Sequence, residues 1–441
     1  MPTLRPFRAL RYDPASVGDL AAVVSPPYDV IPPALQARLV ARHPRNSVFL
    51  DLPPVEPGDG PGARYQRAAA AFTAWRIDGT LRQDPEPAIY AYEQTYWLPG
   101  SPVERRQRGF FARLRVEPYG PGSGVCPHER TLSGPKEDRH ALLEATGANF
   151  SAMVGLYRSP FGESGPILAA LAAQPAASDL VDDDRVRHRL WLVPAGEVGD
   201  GGPADRLLAL ASAGSITIAD GHHRYETALR FHAERLDAGE GSDDSSDAYI
   251  LALLFDTAAT EMAVLPTHRL VHLPPVGTEL IAAAAPFADV EGLPSRSEAL
   301  LAAFPPTMPV APDDQPARIG VWSAGHAAVL RPRPGALDPF VETGSSAALR
   351  ALGVSQLGGL LAAVFGLGPA EVAQGEVTYE RDAALACASV DRGEASSSFL
   401  LEPIAAGVVA GIAAGGELMP QKSTYFYPKP ATGLLFSAAG W

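Results

Sequence analysis

The beginning of the chain alternates between strand-like and helix-like patterns of hydrophobic residues. Apolar and aromatic runs bounded by prolines predict strands at Asn46–Pro53 and Ala88–Leu98. Between them, Tyr65–Gly79 has the helical spacing of apolar residues and ends at a glycine, which predicts a helix. Apolar and polar residues alternate over Arg108–Gly120, so this strand should pair with the strand before it.

The rest of the chain continues this mixture of strands and helices. Further strands are predicted at His188–Pro194, Ile216–Ala219, Arg318–Trp322 and Ser398–Pro403. Further helices are predicted at 134–147 with Ser133 or Gly134 as the cap, from the turn after Asp220 onward, at Ser295–Phe304 and at Gly353–Phe365. The segment Ala248–His272 predicts two strands joined by a turn near Asp256–Thr260.

Hairpins are more evident than repeated crossovers in this order of elements, and no internal repeat is visible. The sequence therefore predicts an α+β fold, a mixed α/β chain with a largely antiparallel or mixed sheet. A chain of 441 residues also exceeds one typical core. The proline-containing stretch Leu273–Leu280 predicts a boundary between an N-terminal and central α/β region, residues 1–273, and a smaller C-terminal α/β region, residues 274–441.

The composition is that of an ordinary globular protein, with 46% hydrophobic and 20% charged residues. A net charge of −14 argues against nucleic acid as a partner, because binding to its backbone needs clustered lysine and arginine. A pocket can still be positive inside an acidic protein. The net charge therefore does not exclude a small anionic ligand.

Cysteine usage and the apolar runs bear on the location of the protein. Cys126 and Cys387 are the only cysteines, which supports neither a disulfide framework nor a zinc ribbon. The start of the chain lacks a signal-peptide pattern. The longest apolar stretch, IAAGVVAGIAAGG, is too short and too rich in glycine to span a bilayer. We therefore expect a cytoplasmic protein without a membrane partner.

A strand–helix junction with the sequence ADGHHRYETAL has the residues of an anion-binding site. Asp220 lies where a helix N-cap belongs, and Gly221 lets the backbone approach a ligand closely. The free N–H groups of the first helical turn and the helix dipole attract anions. His222, His223 and Arg224 add donors at the same place. The junction predicts a phosphate or nucleotide site, against the alternative that one histidine packs and Asp220 only caps the helix.

A second polar cluster, PHERTLSGPKEDR, precedes and begins a predicted helix. Glu129 or Asp138 could accept a proton from a substrate hydroxyl, and Arg130 or Lys136 could hold phosphate. His128 belongs to the same turn. The alternative is a solvated helix start whose charges pair along the helix.

Two further segments contribute candidate residues. The turn SPPYDV offers Asp29 as a ligand contact or metal ligand, against a structural role for this turn. The segment GELMPQKST places Lys422 and Ser423 at the spacing of a phosphate-binding P-loop, but Gln421 replaces the second glycine and no strand precedes it, which excludes a P-loop. Lys422, Ser423, Thr424 and Lys429 remain candidate phosphate donors, or residues of a closing strand.

The DGHHR junction resembles the nucleotide-binding signature of the ParB/sulfiredoxin-like superfamily, in which a strand leads into a Gly-x-x-Arg turn and a helix. Gly221 and Arg224 occupy these two positions here. The resemblance implies a ParB/sulfiredoxin-like core whose turn contacts the phosphates of ATP, ADP or CTP. That superfamily includes DNA-partition proteins, sulfiredoxins and free-serine kinases.

Five segments, in order along nearly the whole chain, resemble the bacterial and archaeal family known as domain of unknown function 1015. They are VSPPYDVI, PHERTLSGPKEDR, ADGHHRYETAL, LPTHRLV and MPQKSTYFYPKPATGLLF. This resemblance implies little about mechanism, because the family is functionally obscure.

The first functional hypothesis is a nucleotide-dependent phosphotransferase that acts on a small hydroxylated metabolite, serine being the acceptor that the superfamily resemblance implies. Glu129, His128 and His223 are the catalytic candidates. The nucleotide phosphates would be bound by Asp220, Gly221, His222, Arg224, Arg130, Lys136, Lys422 and Ser423. Mg²⁺ would accompany ATP, ADP or CTP, with help from Asp29 or Asp220.

Two alternatives remain open. A ParB-like regulator would sense the nucleotide at the same turn without turnover. A metal-dependent phosphohydrolase would use His128, His222, His223 and His268 with an acidic residue as metal ligands. Nucleotide consumption that depends on an added acceptor would indicate the kinase. Nucleotide binding without turnover would indicate the regulator, and phosphate release with metal but no acceptor would indicate the hydrolase.

Overall fold

A computed structural model describes residues 1–120, 122–129, 134–196, 201–259, 262–305, 317–342, 344–368 and 375–438. Two large β-sheets, of nine and six strands, organise these residues. Helices cover both sheets, and short two-stranded sheets join distant parts of the chain.

The strands and helices are numbered in chain order within the described residues. The strands are β1 (Leu4–Arg5), β2 (Leu10–Tyr12), β3 (Leu81–Gln83), β4 (Ala88–Trp97), β5 (Glu104–Arg115), β6 (Val125–Pro127), β7 (Ala148–Asn149), β8 (Met153–Tyr157), β9 (Ser178–Val181), β10 (Arg187–Pro194), β11 (Ile216–Asp220), β12 (Tyr249–Asp256), β13 (Ala263–Leu265), β14 (His268–Val271), β15 (Ala288–Leu293), β16 (Ile319–Ser323), β17 (His326–Pro332), β18 (Val377–Glu380), β19 (Ser397–Leu401), β20 (Tyr425–Tyr427) and β21 (Ser437–Ala438). The α-helices are α1 (Pro14–Val17), α2 (Leu20–Val23), α3 (Pro33–Arg42), α4 (Val48–Asp51), α5 (Ala63–Ile77), α6 (Gly134–Thr146), α7 (Ser164–Ala172), α8 (Pro203–Ser212), α9 (His222–Asp237), α10 (Gly277–Ala284), α11 (Ser297–Ala303), α12 (Ala347–Ala351), α13 (Gly353–Phe365), α14 (Ala383–Asp391) and α15 (Ala406–Ala414). Short 3₁₀ turns lie at Tyr28–Val30, Pro160–Gly162, Ser246–Ala248 and Asp338–Phe340.

The first sheet has the strand order β6-β11-β8-β12-β5-β4-β10-β9, and β1 also pairs with β5. β6 is parallel to β11 and β8 is parallel to β12, while the other neighbours are antiparallel. Successive residues of β12 enter two different cores, Leu251 and Leu253 on one face and Ala252 and Leu254 on the other. Because both faces are covered, the central strands are continuous apolar runs rather than alternating ones.

The second sheet has the order β15-β17-β16-β19-β14-β18 and is antiparallel throughout. One hydrophobic cluster joins it to α10 and α13 through Leu280 and Leu357. Another joins it to α11 and α14 through Leu300 and Ala386. Helices on both faces therefore bury this sheet as well.

The C-terminal segment, residues 415–438, returns from the second sheet to the first. It forms β20, which pairs with β13, and β21, which pairs with β7. Single bridges add the pairs Glu129–Met419, Ser25–Thr432 and Leu10–Phe436. This return brings the stretch Thr424–Lys429 to the end of β11, where the candidate site lies.

The predicted α+β fold with a mixed, largely antiparallel sheet is confirmed. The strands predicted at Ala88–Leu98 and Arg108–Gly120 form the β4–β5 hairpin, in which Tyr90 lies opposite Phe111. Helices α5, α6, α9 and α13 also lie where the sequence predicts them. Ser133, one of the two predicted caps of α6, lies outside the described residues.

The strand predicted at Asn46–Pro53 is wrong, because this segment forms the short helix α4. The Asn46 side chain accepts a hydrogen bond from the Val48 N–H at 3.0 Å and donates to the carbonyl oxygens of Ala22 and Val24. Local side-chain bonds of this kind favour a turn over a strand.

The segment Ala248–His272 has the predicted turn directly after Asp256, but it forms three strands rather than two. The segment contains β12, β13 and β14, and each belongs to a different sheet. Periodicity reports which residues are buried, but it does not report which strand pairs with which.

The division into 1–273 and 274–441 stays a prediction. β14 precedes the predicted boundary but pairs within the second sheet, and the C-terminal segment pairs with strands that precede the boundary. Among the described residues, no helix combines the length and apolar character needed to cross a membrane.

Candidate functional site

The candidate site forms where β11 ends and α9 begins. Gly221 is the N-cap residue of α9, with a φ of 88°, so the prediction that Asp220 caps this helix is wrong. Residues with a side chain rarely adopt such a φ, which explains the glycine. No side chain of the described residues caps this helix start. Its first N–H groups and the positive end of the helix dipole therefore lie open to an anion.

The Asp220 carboxylate lies between two cations. Its Oδ1 accepts a hydrogen bond from Lys429 Nζ at 2.8 Å, and its Oδ2 accepts one from Arg224 Nη2 at 2.8 Å. Burial alone would raise the pKa of Asp220, but the charges of Lys429 and Arg224 hold it well below its usual range. Asp220 is therefore an ionised centre that fixes one cation from α9 and one from the C-terminal segment.

Arg224 is buried, yet its hydrogen-bonding capacity is only partly used. The residue is 8% exposed, and its Nε and Nη1 have no hydrogen-bond partner within the described part of the chain. A Cβ atom at Gly221 would lie 2.7 Å from Arg224 Nε, so the guanidinium packs directly on the glycine backbone. Buried donors without partners are costly and uncommon in native proteins. The Nε and Nη1 donors of Arg224 are therefore buried with their hydrogen-bonding capacity unmet among the described residues.

A small cavity adjoins Arg224 on its inner side. Its volume is about 10 Å³, and Ser151 and Thr432 also line it. The Oγ1 of Thr432 likewise lacks a partner among the described residues. A space of this size holds roughly one water molecule. The cavity therefore fits solvent and not a nucleotide, whose place is outside the α9 N-terminus.

The turn that carries Asp29 packs against the same guanidinium. The Tyr28 ring centroid lies 3.9 Å from Arg139 Cζ and 5.8 Å from Arg224 Cζ, and burial raises the pKa of Tyr28 to about 12. Arg139 in turn donates to the backbone oxygen of Asp51 at 2.5 Å. Asp29 itself is exposed, and its charge contributes to raising the pKa of Arg224. The turn therefore places a solvent-facing carboxylate beside the buried cations.

His128 and His222 lie beside each other, and both rings form hydrogen bonds. His128 Nδ1 bonds the Ile218 oxygen at 2.6 Å, its Nε2 bonds Thr424 Oγ1 at 2.9 Å, and its backbone N–H donates to His222 Nε2 at 3.3 Å. These partners imply the Nδ1–H tautomer for both rings. Burial lowers the pKa of both histidines, and their mutual repulsion lowers that of His222 further. Both rings are therefore neutral and connect β6, β11 and the C-terminal segment.

Glu129 and His223 are the predicted catalytic residues that remain partly open. Glu129 has a side chain that is 30% exposed, and its Oε1 lies 3.9 Å from His222 Nδ1. His223 Nδ1 has no hydrogen-bond partner among the described residues. Burial lowers the pKa of His223, and the charges of Lys136 and Lys422 lower it further.

The remaining predicted phosphate donors differ in exposure and in whether they already have a partner. Lys136 forms an ion pair with Glu226. Lys422 is exposed and has a φ of 57°, whereas the buried Ser423 hydroxyl donates to the Pro420 oxygen. Arg130 lies outside the described residues. Of these candidates, Lys422 is the one whose side chain is exposed beside the helix start.

A protein-only metal centre is not found in the described ranges, where no three His, Cys, Asp or Glu side chains converge on a common point. Both ring nitrogens of His128 and the Nε2 of His222 already have partners. His268 accepts a hydrogen bond from the Leu401 N–H in the second sheet. Mg²⁺ bound to a nucleotide needs few protein ligands. The exposed Asp29 carboxylate fits such a role.

The sequence assigned no role in this site to several residues that the structure places there. Tyr28, Arg139 and Asp51 pack together beneath the cations, and Tyr425 lies with its ring centroid 5.0 Å from Lys429 Nζ. Lys429 was a candidate phosphate donor, but its partner Asp220 is 209 residues away in the sequence. No local pattern indicates a pair at that separation.

Comparisons with known proteins place the chain in a family. The model of a family described as "Protein of unknown function (DUF1015)" matches residues 4–355. No curated protein matches the chain. Tyr425 and Lys429 lie beyond the matched residues.

Several solved structures show a distant similarity to the chain. A conserved hypothetical protein from Pyrococcus furiosus is 12% identical, with 70% of this chain and 88% of that chain covered and a TM-score of 0.32. A mutant free serine kinase in complex with AMP is 12% identical, with 72% and 88% covered and a TM-score of 0.36. SbnI with a C-terminal truncation, from Staphylococcus aureus, is 10% identical, with 73% and 85% covered and a TM-score of 0.34. These TM-scores are too low to establish a shared fold.

Proposed function

The chain belongs to the DUF1015 family of proteins of unknown function, and from its site we propose that it binds a nucleotide and transfers a phosphoryl group to a small hydroxylated metabolite. The observation that carries this proposal is the buried Arg224, whose Nε and Nη1 lack partners among the described residues beside a helix start without a side-chain cap. An anion at this place would satisfy both sets of donors.

The nucleotide phosphates would bind at the start of α9. The first N–H groups of the helix and the free N–H groups of Arg224 would donate to phosphate oxygens. Lys422 is exposed and its charge lowers the pKa of His223, so these two residues would contact the outer phosphates. Asp220 would not touch the anion, because its two oxygens already hold Arg224 and Lys429. Its role is to keep both cations charged and in place.

The transfer step follows from the same arrangement. The acceptor hydroxyl oxygen would form a bond to the terminal phosphorus, while the bond between that phosphorus and the bridging oxygen of the leaving nucleotide breaks. The hydroxyl proton would pass to Glu129, whose side chain is partly exposed. Mg²⁺ held by the phosphates and Asp29 would neutralise charge on the transferring group. His128, which is buried and engaged at both ring nitrogens, would position the strands rather than react.

Nucleotide binding is tested first by thermal shift and calorimetry with ATP, ADP, CTP, GTP and inorganic phosphate, each with Mg²⁺. A ligand that binds only the folded state raises the melting temperature. We expect a shift with at least one nucleotide and a loss of tenfold or more in affinity in Arg224→Ala. Arg224→Lys should lose most of this affinity too, because lysine keeps the charge but not the planar set of donors.

Arg230→Ala is the matched control for these variants. Arg230 is an exposed arginine of the same helix and pairs with Glu234 at 2.8 Å, away from the helix start. Its substitution should leave nucleotide affinity unchanged. A wild-type protein that binds no nucleotide at millimolar concentration would contradict the proposal.

Turnover separates the kinase from the nucleotide-sensing regulator, which would use the same site. Nucleotide consumption should require an added acceptor, with serine tested first, and should fall in Glu129→Gln. Binding without consumption by any acceptor would favour the regulator. Phosphate release with metal and no acceptor would favour the phosphohydrolase.

A further inference from the structure

We propose that Arg381, supplied by the second sheet, binds an anionic group of the acceptor, so that the metabolite is a hydroxylated oxyanion, either a carboxylate or a phosphate ester. This inference rests on the proposed phosphotransfer, and it names the class of acceptor that the site would take. Nothing in the DUF1015 match covers Arg381, which lies beyond residue 355.

Arg381 faces the same aromatic ring as the buried lysine of the site. It follows β18 directly, and its Cζ lies 3.9 Å from the ring centroid of Tyr425. Lys429 Nζ lies 5.0 Å from that centroid. The two cations are therefore at most about 9 Å apart. Stacking on an aromatic ring also holds the guanidinium in a fixed orientation.

The guanidinium of Arg381 has no carboxylate partner among the described residues. The two nearest acidic residues in sequence are used by backbone groups instead. Glu380 Oε1 accepts from the N–H groups of Arg381 and Asp382, and Asp382 Oδ1 caps the start of α14. The donors of Arg381 are thus oriented by Tyr425 and free to bind an oxyanion.

A second arginine on this side of the site also has no carboxylate partner among the described residues. The buried Arg269 of β14 donates to the carbonyl oxygens of Thr267 and Gln421, not to a carboxylate. Asp220 is already shared between two cations. Asp29 and Asp382 are exposed carboxylates here, and the charge of Asp29 contributes to raising the pKa of both Tyr425 and Lys429. Guanidinium groups without a carboxylate partner favour an anionic ligand even in an acidic protein.

The position of Arg381 assigns it to the acceptor rather than to the nucleotide. The proposed phosphate site lies at the start of α9, beside His223 and Lys422. Arg381 instead lies on the ring of Tyr425, which Lys429 also approaches. A hydroxylated oxyanion bound there would have its charged group on Arg381 and its hydroxyl directed toward the nucleotide.

Calorimetry with four named probes tests this assignment on the full chain, with and without Mg²⁺·ADP. Glycerate and glycerol 3-phosphate represent the two oxyanions, and glycerol is the uncharged analogue. Serine is included because it carries both a hydroxyl and a carboxylate. We expect at least one oxyanion to bind tenfold or more tightly than glycerol. Preference between glycerate and glycerol 3-phosphate identifies which oxyanion the site takes.

Arg381→Gln should weaken binding of that oxyanion at least tenfold and leave nucleotide affinity unchanged. Arg392→Gln is the control, because Arg392 is an exposed arginine at the other end of α14 that pairs with Glu394 at 2.6 Å. Equal affinity for glycerol and the oxyanions, or unchanged oxyanion affinity in Arg381→Gln, overturns the inference. If oxyanion binding depends on Arg381 but no nucleotide binds, the proposed phosphotransfer fails and the anion site stands.

Discussion

Two regions of the first sheet are rich in arginine, and they differ in how these arginines are satisfied. The arginine groove, a depression of about 460 Å³ on β4, β5, β9 and β10, is lined by Arg106, Arg185, Arg187 and Arg189. The Asp220 site at the end of β11 offers fewer arginines and more burial. Size alone would make the groove the first choice for a binding site.

The hydrogen bonds of the arginines favour the Asp220 site over the groove. In the groove, Arg106 bonds Glu104 through Nε and Nη2, and Arg187 bonds Asp179 in the same way. At the Asp220 site, Arg224 retains two nitrogen atoms, Nε and Nη1, without a partner among the described residues. Exposed pairs that are complete have little reason to bind another anion. Arg189 of the groove also has an Nε without a partner among the described residues, but its side chain is 24% exposed, whereas that of Arg224 is 8% exposed. Unmet hydrogen-bonding capacity in a buried arginine, rather than the number of arginines, therefore marks the candidate site.

Removal of the central carboxylate should have the largest effect on the molecule. Asp220→Ala leaves Arg224 and Lys429 buried without their counterion, which costs about 3–5 kcal/mol in the free energy of unfolding. Urea unfolding measures this loss. If Asp220→Ala does not fold, Asp220→Asn keeps the shape and one acceptor oxygen and should show a smaller loss in the same direction.

Asp179→Ala is the matched change in the arginine groove. The side chains of Arg187 and Asp179 are 51% and 39% exposed, so their pair should contribute less than about 1 kcal/mol. Similar losses in Asp220→Ala and Asp179→Ala would remove the distinction between the two regions.

The pH dependence of stability should also distinguish the Asp220 site from the arginine groove. The Asp220 site contains histidines, whereas the arginines of the groove do not titrate near neutral pH. Burial lowers the pKa of His128 and His222 in the folded protein, whereas both rings protonate near pH 6.5 in the unfolded chain. The unfolded state then binds more protons, so stability falls as the pH drops below about 6.5.

We expect a loss of about 2 kcal/mol between pH 7.5 and pH 5.5 from these two histidines together. Asp220 does not contribute to this window, because its lowered pKa matters only below the ordinary range of aspartate. Urea unfolding at the two pH values measures the change, and His222→Gln should reduce it. A stability that is constant over this range would show that the two rings are not held neutral.

The same contrast explains how much the sequence could predict. The β11–α9 junction was predictable because a β-branched run, a glycine and a helical pattern are local signals. The helix α4 was missed because the hydrogen bonds of Asn46 reach Ala22 and Val24, which are distant in sequence. The pair of Lys429 and Asp220 depends on the return of the C-terminal segment to the first sheet, which no local pattern encodes.

The candidate residues were predicted better than their roles. The DGHHR motif does contain the junction at the end of β11, but Asp220 binds cations instead of capping α9. His128 is buried, and its two ring nitrogens bond Ile218 of β11 and Thr424 of the C-terminal segment. A sequence identifies polar residues near a turn, while burial and partners decide which of them are free for a ligand.

Gly221→Ala should have a smaller effect than the loss of Asp220, and it tests the packing of Arg224. Gly221 and Gly239 both have positive φ values, 88° and 73°, so alanine at either position should cost about 1 kcal/mol in backbone strain. A Cβ at Gly221 would also lie 2.7 Å from Arg224 Nε, whereas one at Gly239 has nothing within 4 Å.

The Gly221→Ala variant should therefore be about 1 kcal/mol less stable than Gly239→Ala and should also lose nucleotide affinity, because Arg224 must move. Thermal unfolding and calorimetry on the two variants measure both effects. Equal affinity in Gly221→Ala and the wild type would show that the position of Arg224 is not critical.

The smallest expected effect comes from releasing the arginines of the groove. The double variant Glu104→Gln and Asp179→Asn removes the carboxylates of Arg106 and Arg187 and changes stability by less than about 1 kcal/mol, because the side chains are exposed. If unmet capacity is sufficient for anion binding, this variant should bind inorganic phosphate at low salt where the wild-type groove does not. The affinity should be weak, since water competes for exposed donors and salt screens them. If phosphate binding disappears when Arg187→Gln is added to the double variant, unmet hydrogen-bonding capacity is what decides whether an arginine binds an anion. No binding at low salt would instead show that burial is needed as well, and would assign the importance of Arg224 to its exclusion from water as much as to its free N–H groups.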